Sequence, residues 1–150
     1  MQITPIQVAT YVAAVASRGT LFYPHIAKAI VDSNKKIIEN LVYSPKKTQL
    51  VKDDIFTVIH EGMRQGVLIG TASGLSSIPI PIAAKTGTAE IGDTGRVNSW
   101  SIGFFPYDKP KLAFAIVMEN GDKHNTIGAT YVASQVLQWM AETNFLDKLK

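Results

Sequence analysis

Apolar residues near the start of the chain recur at the spacing of a helix. Thr4, Pro5 and Gln7 have the sequence of a capping box, with proline at the first helical position. Gly19 is of the residue type that most often ends a helix. We therefore predict a helix over residues 5–17. Because nearly all of its residues are apolar or small, we expect it to be buried on more than one side.

Two later stretches show the same helical period. Residues 52–65 carry apolar side chains at helical spacing, with two aspartates near the start, where the helix dipole favours them. Residues 127–141 form the third predicted helix, with a candidate cap at Asn125 or Thr126. The predicted buried stripe of this helix consists of Ile127, Tyr131, Val132, Val136, Trp139 and Met140.

The other apolar runs are shorter and predict strands. Residues 26–31 and 36–42 flank a polar turn and predict a small hairpin. Residues 82–89, 97–105 and 112–119 predict three longer strands, and the short link between the last two makes them an antiparallel pair. The last strand is apolar on both faces, so we expect helices on both of its sides. This order predicts an α+β fold in which helices flank an antiparallel sheet.

The composition fits one compact globular domain. The chain has 150 residues, of which 46% are hydrophobic and 18% are charged. Its net charge of +3 is spread along the chain, so we expect no nucleic acid partner. No apolar run approaches the roughly 20 residues that cross a bilayer, and the first residues do not form a signal peptide. We therefore expect the chain itself to be soluble.

Thiol and metal chemistry have little support in the sequence. The chain contains no cysteine, which excludes disulfides, thiolate nucleophiles and cysteine-based zinc sites. His25, His60 and His124 stand apart from one another, and residues 60–64 do not match the HExxH pattern of zinc proteases. We expect no metal and no other cofactor, and we interpret the histidines as satisfied or exposed side chains.

The strongest candidate for chemistry is the run Lys85, Thr86, Gly87, Thr88. Its ammonium supplies positive charge, its hydroxyls can donate to a carboxylate, and its glycine leaves room for a ligand to approach the strand. Ala84 stands where a phosphate-binding P-loop needs glycine, which excludes that motif. The run therefore indicates an anion-binding strand edge. A solvated lysine at the end of a strand is the alternative.

Other polar residues near this run have less specific interpretations. Residues 98–100 could line a cleft from the neighbouring strand. Strand alternation, however, places Trp100, Ile102 and Phe104 on one face, which favours a core role for these side chains. For the charged residues of the loop 90–96, a role in shaping a groove and a solvated role both remain open.

Five segments of the chain follow one another in an order typical of one family. They are ITPIQVATYVAAVASR at 3–18, EGMRQGVLIGTA at 61–72, AAKTGTAE at 83–90, SWSIGFFP at 99–106 and LAFAIVMENG at 112–121. Together they resemble the transpeptidase domain of penicillin-binding proteins, of the high-molecular-weight class B and penicillin-binding protein 2 type. Their shared order is more specific than the KTG motif alone.

The resemblance implies a partial serine β-lactamase-like or D,D-transpeptidase-like fold and an acyl-transfer site built from three motifs. These are a serine with a lysine three residues later, a Ser-x-Asn element and the KTG strand. Ser33 with Lys36 and Ser44 with Lys47 match the first spacing, but both pairs lie in polar turn sequences. No Ser-x-Asn triplet occurs in the chain. We therefore expect residues 1–150 to be the C-terminal portion of such a domain, without its nucleophile.

The resemblance also implies roles and partners. Lys85 would hold positive charge in the cleft and assist proton transfer. Thr86, Gly87 and Thr88 would bind the terminal carboxylate of a D-alanyl-D-alanine stem peptide of peptidoglycan or of a β-lactam. The backbone N–H of Thr88 would supply half of an oxyanion hole. The parent protein would be anchored in the inner membrane by a segment outside this chain, with the domain on the periplasmic side.

Without a nucleophile, the chain alone is expected to be inactive. An apolar face that the rest of the domain would cover could join two copies in a homodimer. Two other interpretations remain open. The fold could serve as a non-catalytic peptide-binding or interaction module, or the chain could be a relative of the serine β-lactamases, which share the KTG strand.

Overall fold

The computed structural model describes residues 3–47, 51–125 and 127–149 of the chain. The helices are α1 (Pro5–Ala16), α2 (Asp53–Leu68) and α3 (Ala129–Glu142), with short 3-10 helices at Ser73–Leu75 and Leu146–Leu149. The strands are β1 (Thr20–Leu21), β2 (Ala29–Val31), β3 (Ile37–Asn40), β4 (Lys46–Lys47), β5 (Ala83–Glu90), β6 (Arg96–Phe105) and β7 (Leu112–Asp122). No described helix combines the length and the hydropathy that crossing a membrane requires.

The three long strands form one antiparallel sheet in the order β5-β6-β7. Its register places Lys85 opposite Ile102 and Thr88 opposite Ser99. β2 and β3 form the predicted hairpin, and β1 pairs with β4. Side chains of β7 pack into the core on both faces of the sheet, as its apolar sequence predicts. The prediction of an α+β fold with helices flanking an antiparallel sheet is confirmed.

The ends of α1 are determined by residues next to them in sequence. The Thr4 hydroxyl accepts from the N–H of Gln7, and the Gln7 side chain accepts from the N–H of Thr4, which completes the predicted capping box. At the other end, Arg18 adopts a φ of 56°, and the N–H of Gly19 donates to the carbonyl of Ala14 at 2.8 Å. This pattern of bonds ends the helix where the sequence predicts.

The burial predicted for α1 is wrong on one side of the helix. Val12 and Val15 are buried, as expected, against the sheet and α2. Ile6, however, is 57% exposed and Tyr11 is 62% exposed. The physical reason is that the described elements pack against one side of α1 and leave the other side to solvent.

The predicted second helix is present and continues beyond the predicted end, to Leu68. Its C-terminal half lies directly on β5. A Cβ at Gly66 would come within 2.8 Å of the Ala84 carbonyl oxygen, so only glycine fits this contact. Two residues earlier, the Arg64 guanidinium donates to the carbonyl of Ile82 at 2.8 Å. These contacts hold α2 at the edge of the sheet, directly before the KTG run.

The start of α3 differs from the prediction. The helix begins at Ala129, with Gly128 in the capping position and no side-chain cap bond. Asn125, one of the two predicted caps, instead accepts from the N–H of Ile127 at 2.9 Å. The other predicted cap, Thr126, lies outside the described residues. The prediction of Asn125 as the cap is wrong because this side chain stabilises the turn that precedes the helix.

The predicted buried stripe of α3 is wrong at four of its six positions, while Val132 is half-buried and Met140 packs against the core. The side chains that it buries are Ala129, Ala133 and Leu137, whereas Ile127, Tyr131, Val136 and Trp139 are exposed. A Cβ at Gly128 would lie 2.6 Å from the Ser99 hydroxyl, so the helix begins in close contact with β6. Ala129 and Ala133 face the sheet at the start of the helix because the helix approaches it closely there, and the larger Leu137 is buried one turn later. The expected homodimer of the chain stays a prediction.

The sheet separates two layers of side chains. We call the side toward α3 the closed face, because its core is continuous: Val67, Leu75, Ile82, Ala84, Phe105, Leu137 and Leu146 are all buried there. We call the side toward α1 the groove face. Its core is smaller and consists of Val12, Ala16, Ala83 and Phe104. Beyond this smaller core, the groove face opens at Lys85 and Ile102.

Candidate functional site

A groove of about 420 Å³ lies between α1, α2 and the sheet. Lys85 is the charged residue in its wall, and the other lining residues are apolar apart from the phenol of Tyr11. They are Tyr11, Val12, Val15, Ile59, Gly62, Met63 and Ile102. A cation beside an apolar wall can bind a ligand that carries both an anionic group and an apolar part.

The Lys85 side chain is exposed, and its ammonium donates to the carbonyl oxygen of Thr86. Within the described residues, it forms no ion pair with a carboxylate. An ammonium has three donor hydrogens, so further hydrogen bonds are open to it. Lys85 therefore offers a positive charge that this part of the chain does not neutralise.

Thr86 forms its side-chain hydrogen bond with a residue that the sequence analysis did not select. Its hydroxyl lies 2.6 Å from the hydroxyl of Thr71, which belongs to the loop after α2. Strand alternation places Thr86 and Thr88 on the opposite side of β5 from Lys85. Because β5 is the edge strand of its sheet, a ligand running along that edge can still reach both sides.

Gly87 lies opposite Trp100 in the sheet. A Cβ at this glycine would lie 3.6 Å from the Cβ of Trp100, which is an ordinary van der Waals distance. Packing within the described chain therefore does not require glycine here. The strand surface at Gly87 and Thr88 is exposed, which leaves it open to a ligand.

The neighbouring residues of β6 connect elements of the fold. Asn98 accepts from the N–H of Asn120 at 2.9 Å, and the Ser99 hydroxyl accepts from the N–H of Ala129 at 2.9 Å. These bonds join β6 to β7 and to α3. Phe104 is buried in the core of the groove face, whereas Trp100 is half-buried. The core role predicted for the aromatic residues is thus complete at Phe104 and partial at Trp100.

Neither candidate serine lines the groove. Ser33 is exposed in the turn between β2 and β3, and Ser44 is exposed between β3 and β4. The structure therefore places both serines outside the set of residues that surrounds Lys85.

The histidines have no part in the groove either. His60 is buried, and its Nε2 lies 2.8 Å from the carbonyl oxygen of Val15. His25 stacks on Tyr43 with a centroid distance of 3.6 Å. Within the described residues, no group of three or more His, Cys, Asp or Glu side chains could hold a metal ion.

A polar depression of about 290 Å³ lies in and beside the loop after β5. Glu90, Asp93, Arg96 and Lys123 line it, together with two glycines. Both glycines adopt positive φ values, which shape the turn. Since the charges of the four side chains balance, this loop has no net attraction for an anion.

The chain matches the family described as the penicillin binding protein transpeptidase domain over residues 1–138. It is 30% identical over 137 residues to penicillin-binding protein 2B of Streptococcus pneumoniae. The aligned stretch covers 82% of this chain and 19% of that protein. It is 32% identical over 130 residues to penicillin-binding protein 2A of Bacillus subtilis, covering 77% of the chain and 18% of that protein. It thus spans about a fifth of the length of these relatives.

Solved structures share the same fold. Penicillin-binding protein A from M. tuberculosis, as an imipenem acyl-enzyme complex, matches with a TM-score of 0.76 and 26% identity, over 91% of this chain and 30% of that one. A D,D-transpeptidase domain from Eggerthella lenta matches with a TM-score of 0.80 and 23% identity, over 97% of this chain and 34% of that one. The second likeness concerns the fold alone.

Proposed function

The chain belongs to the penicillin-binding protein transpeptidase domain family, and from this premise we propose that residues 1–150 form the C-terminal portion of a peptidoglycan D,D-transpeptidase domain. The proposed substrate-binding strand is β5. The observation that carries the proposal is that Lys85, with its charge not neutralised, lines an apolar groove beside an edge strand bearing two hydroxyls.

In the proposed site, the strand edge binds the carboxylate of a D-alanyl-D-alanine stem peptide or of a β-lactam. Lys85 supplies positive charge on the groove face, where it also assists proton transfer. The hydroxyls of Thr86 and Thr88 donate to the carboxylate. Gly87 allows the ligand backbone to approach, which fits the exposed strand surface at this position.

The groups that the proposed reaction needs come from two parts of a larger protein. The N–H of Thr88 contributes one donor, and the serine with its own N–H comes from outside this chain. Losing one oxyanion donor costs about 100- to 1000-fold in rate, and losing the nucleophile removes the covalent route. The chain alone therefore binds without being acylated. The parent protein is proposed to be anchored in the inner membrane, with this domain on the periplasmic side.

Ligand titration followed by NMR tests the binding role of β5. We expect N-acetyl-D-alanyl-D-alanine to shift the amide signals of Lys85 to Thr88, and its C-terminal amide to bind less tightly. The substitution Lys85→Gln should weaken binding of the acid about 3- to 10-fold, since it removes one charged donor at an exposed site. The matched control Lys46→Gln, on exposed β4, should bind like the native chain. Shifts confined to another surface would favour the non-catalytic interaction module.

Labelling with a fluorescent penicillin tests whether the nucleophile lies outside this chain. We expect no covalent label on the chain alone, with a complete class B penicillin-binding protein as the positive control. A stable label on Ser33 or Ser44 would contradict the proposal that the nucleophile lies outside this chain.

A further inference from the structure

The contact between Thr71 and Thr86 joins the loop after α2 to the KTG strand. The two hydroxyl oxygens lie 2.6 Å apart, although the residues are 15 positions apart in sequence. Thr71 is exposed and Thr86 is half-buried. The hydrogen bond therefore joins Thr86 to a residue that is not part of its sheet.

Tight packing holds the loop at this distance from β5. A Cβ at Gly66 would lie 2.8 Å from the Ala84 carbonyl oxygen, and a Cβ at Gly70 would lie 2.9 Å from the Cα of Gly66. The N–H of Ala72 donates to the carbonyl of Gly66 at 3.0 Å, and Ala72 is buried. Because the residues on both sides of Thr71 are held in place, the backbone of Thr71 has a defined position beside β5.

The two hydroxyls can share only one proton in their mutual hydrogen bond. If Thr86 donates to Thr71, its proton is used inside the protein. If Thr71 donates, the proton of Thr86 is available to an acceptor outside. A carboxylate only accepts, so it selects the second arrangement, in which each hydrogen bond polarises and strengthens the next.

We propose that Thr71 is a positioning residue of the KTG strand: its hydroxyl donates to that of Thr86 and directs the Thr86 proton toward the ligand carboxylate. This role rests on the proposed binding of a carboxylate by β5. Thr71 itself needs no contact with the ligand. Its effect is to donate to one lone pair of the Thr86 oxygen, which leaves the Thr86 proton for the ligand.

The orientation of Thr86 can be measured without any ligand. Three-bond couplings to the Thr86 methyl carbon report its χ1 rotamer in the isotopically labelled chain. We expect one dominant rotamer in the native chain and in Thr71→Ser, and rotamer averaging in Thr71→Val, which keeps the shape and removes the hydroxyl. The control is Thr143→Val, at a hydroxyl that bonds the Trp139 carbonyl in α3 at 2.9 Å. An unchanged Thr86 rotamer in Thr71→Val would overturn the proposal.

Titration then tests the link to ligand binding. Thr71→Val should bind N-acetyl-D-alanyl-D-alanine about 3- to 10-fold more weakly than the native chain, the effect of one hydrogen bond, and Thr71→Ser should restore the affinity. The C-terminal amide of the same peptide should bind both variants alike. If the native chain prefers the acid but Thr71→Val binds it equally well, the positioning role is wrong and the proposed function stands. If the native chain does not distinguish acid from amide, the proposed function fails and the positioning role falls with it.

Discussion

The two faces of the sheet are packed in different ways. On the closed face, α3 and the loops around it bury Phe105, Ile82 and Leu75 almost entirely, although Thr88 on the edge strand stays exposed. On the groove face, α1 packs on a smaller core at Ala83 and Phe104, and Lys85 and Ile102 line the opening beside it. The closed face provides most of the buried apolar area that stabilises the fold, whereas the groove face holds the open cavity that Lys85 lines. Substitutions on the two faces should therefore differ in effect.

The largest effect is expected on the closed face. Phe105→Ala removes a side chain that is 1% exposed and leaves a cavity in the larger core. The free energy of unfolding should fall by about 3–5 kcal/mol, measured by urea denaturation followed by circular dichroism. Trp139→Ala, at a large side chain that is 61% exposed, is the control and should change stability far less. Similar losses in both variants would contradict the distinction between buried and exposed apolar residues of this layer.

An intermediate effect is expected where α2 meets the edge of β5. Gly66→Ala places a methyl group against the backbone of Ala84, which cannot move without disturbing the sheet. We expect a loss of about 1–3 kcal/mol in the free energy of unfolding. Gly62→Ala in the same helix meets nothing within 4 Å and should raise stability by about 0.5–1 kcal/mol through helix propensity. A stabilising Gly66→Ala would show that α2 and β5 are farther apart in solution.

The smallest effect is expected in the groove itself. Tyr11 lines the groove and is 62% exposed, so Tyr11→Ser should change the free energy of unfolding by no more than about 0.5 kcal/mol. Urea denaturation measures this change. The same variant should alter the NMR signals of the groove residues Ile59 and Met63 while leaving those of the closed face unchanged. A loss of more than about 2 kcal/mol would mean that Tyr11 is buried in solution and the groove is closed.

The accuracy of the sequence predictions varies with the distance over which contacts act. The capping box of α1 is predictable because Thr4 and Gln7 lie three residues apart and bond within one turn. The antiparallel order of β6 and β7 follows from their short link. The family segments, which include the KTG strand, were likewise evident from the order of residues in the chain.

Other features depend on how closely two elements approach each other. The apolar period of α3 contains both a stripe of large residues and a stripe of small ones, and periodicity does not say which faces the sheet. The contact of Gly128 with Ser99 brings the helix close enough that Ala129 and Ala133 face inward. The contact of Thr71 with Thr86 could not be predicted either, because no local sequence pattern links the two residues. The need for glycine at Gly66 and Gly70 is likewise visible only when α2 is packed on β5.

By itself, the sequence determined the three long helices, the hairpin, the three long strands with their antiparallel arrangement, the family and the strand that carries Lys85, but not the pair of β1 and β4. These features depend on hydrogen bonds and periodicities within short stretches of chain, which each residue type biases directly. The tertiary structure decided which face of α3 is buried, that the groove opens between α1 and α2, and that Thr71 reaches Thr86. These outcomes depend on the fit between distant surfaces, where a single missing Cβ sets how closely two elements can pack.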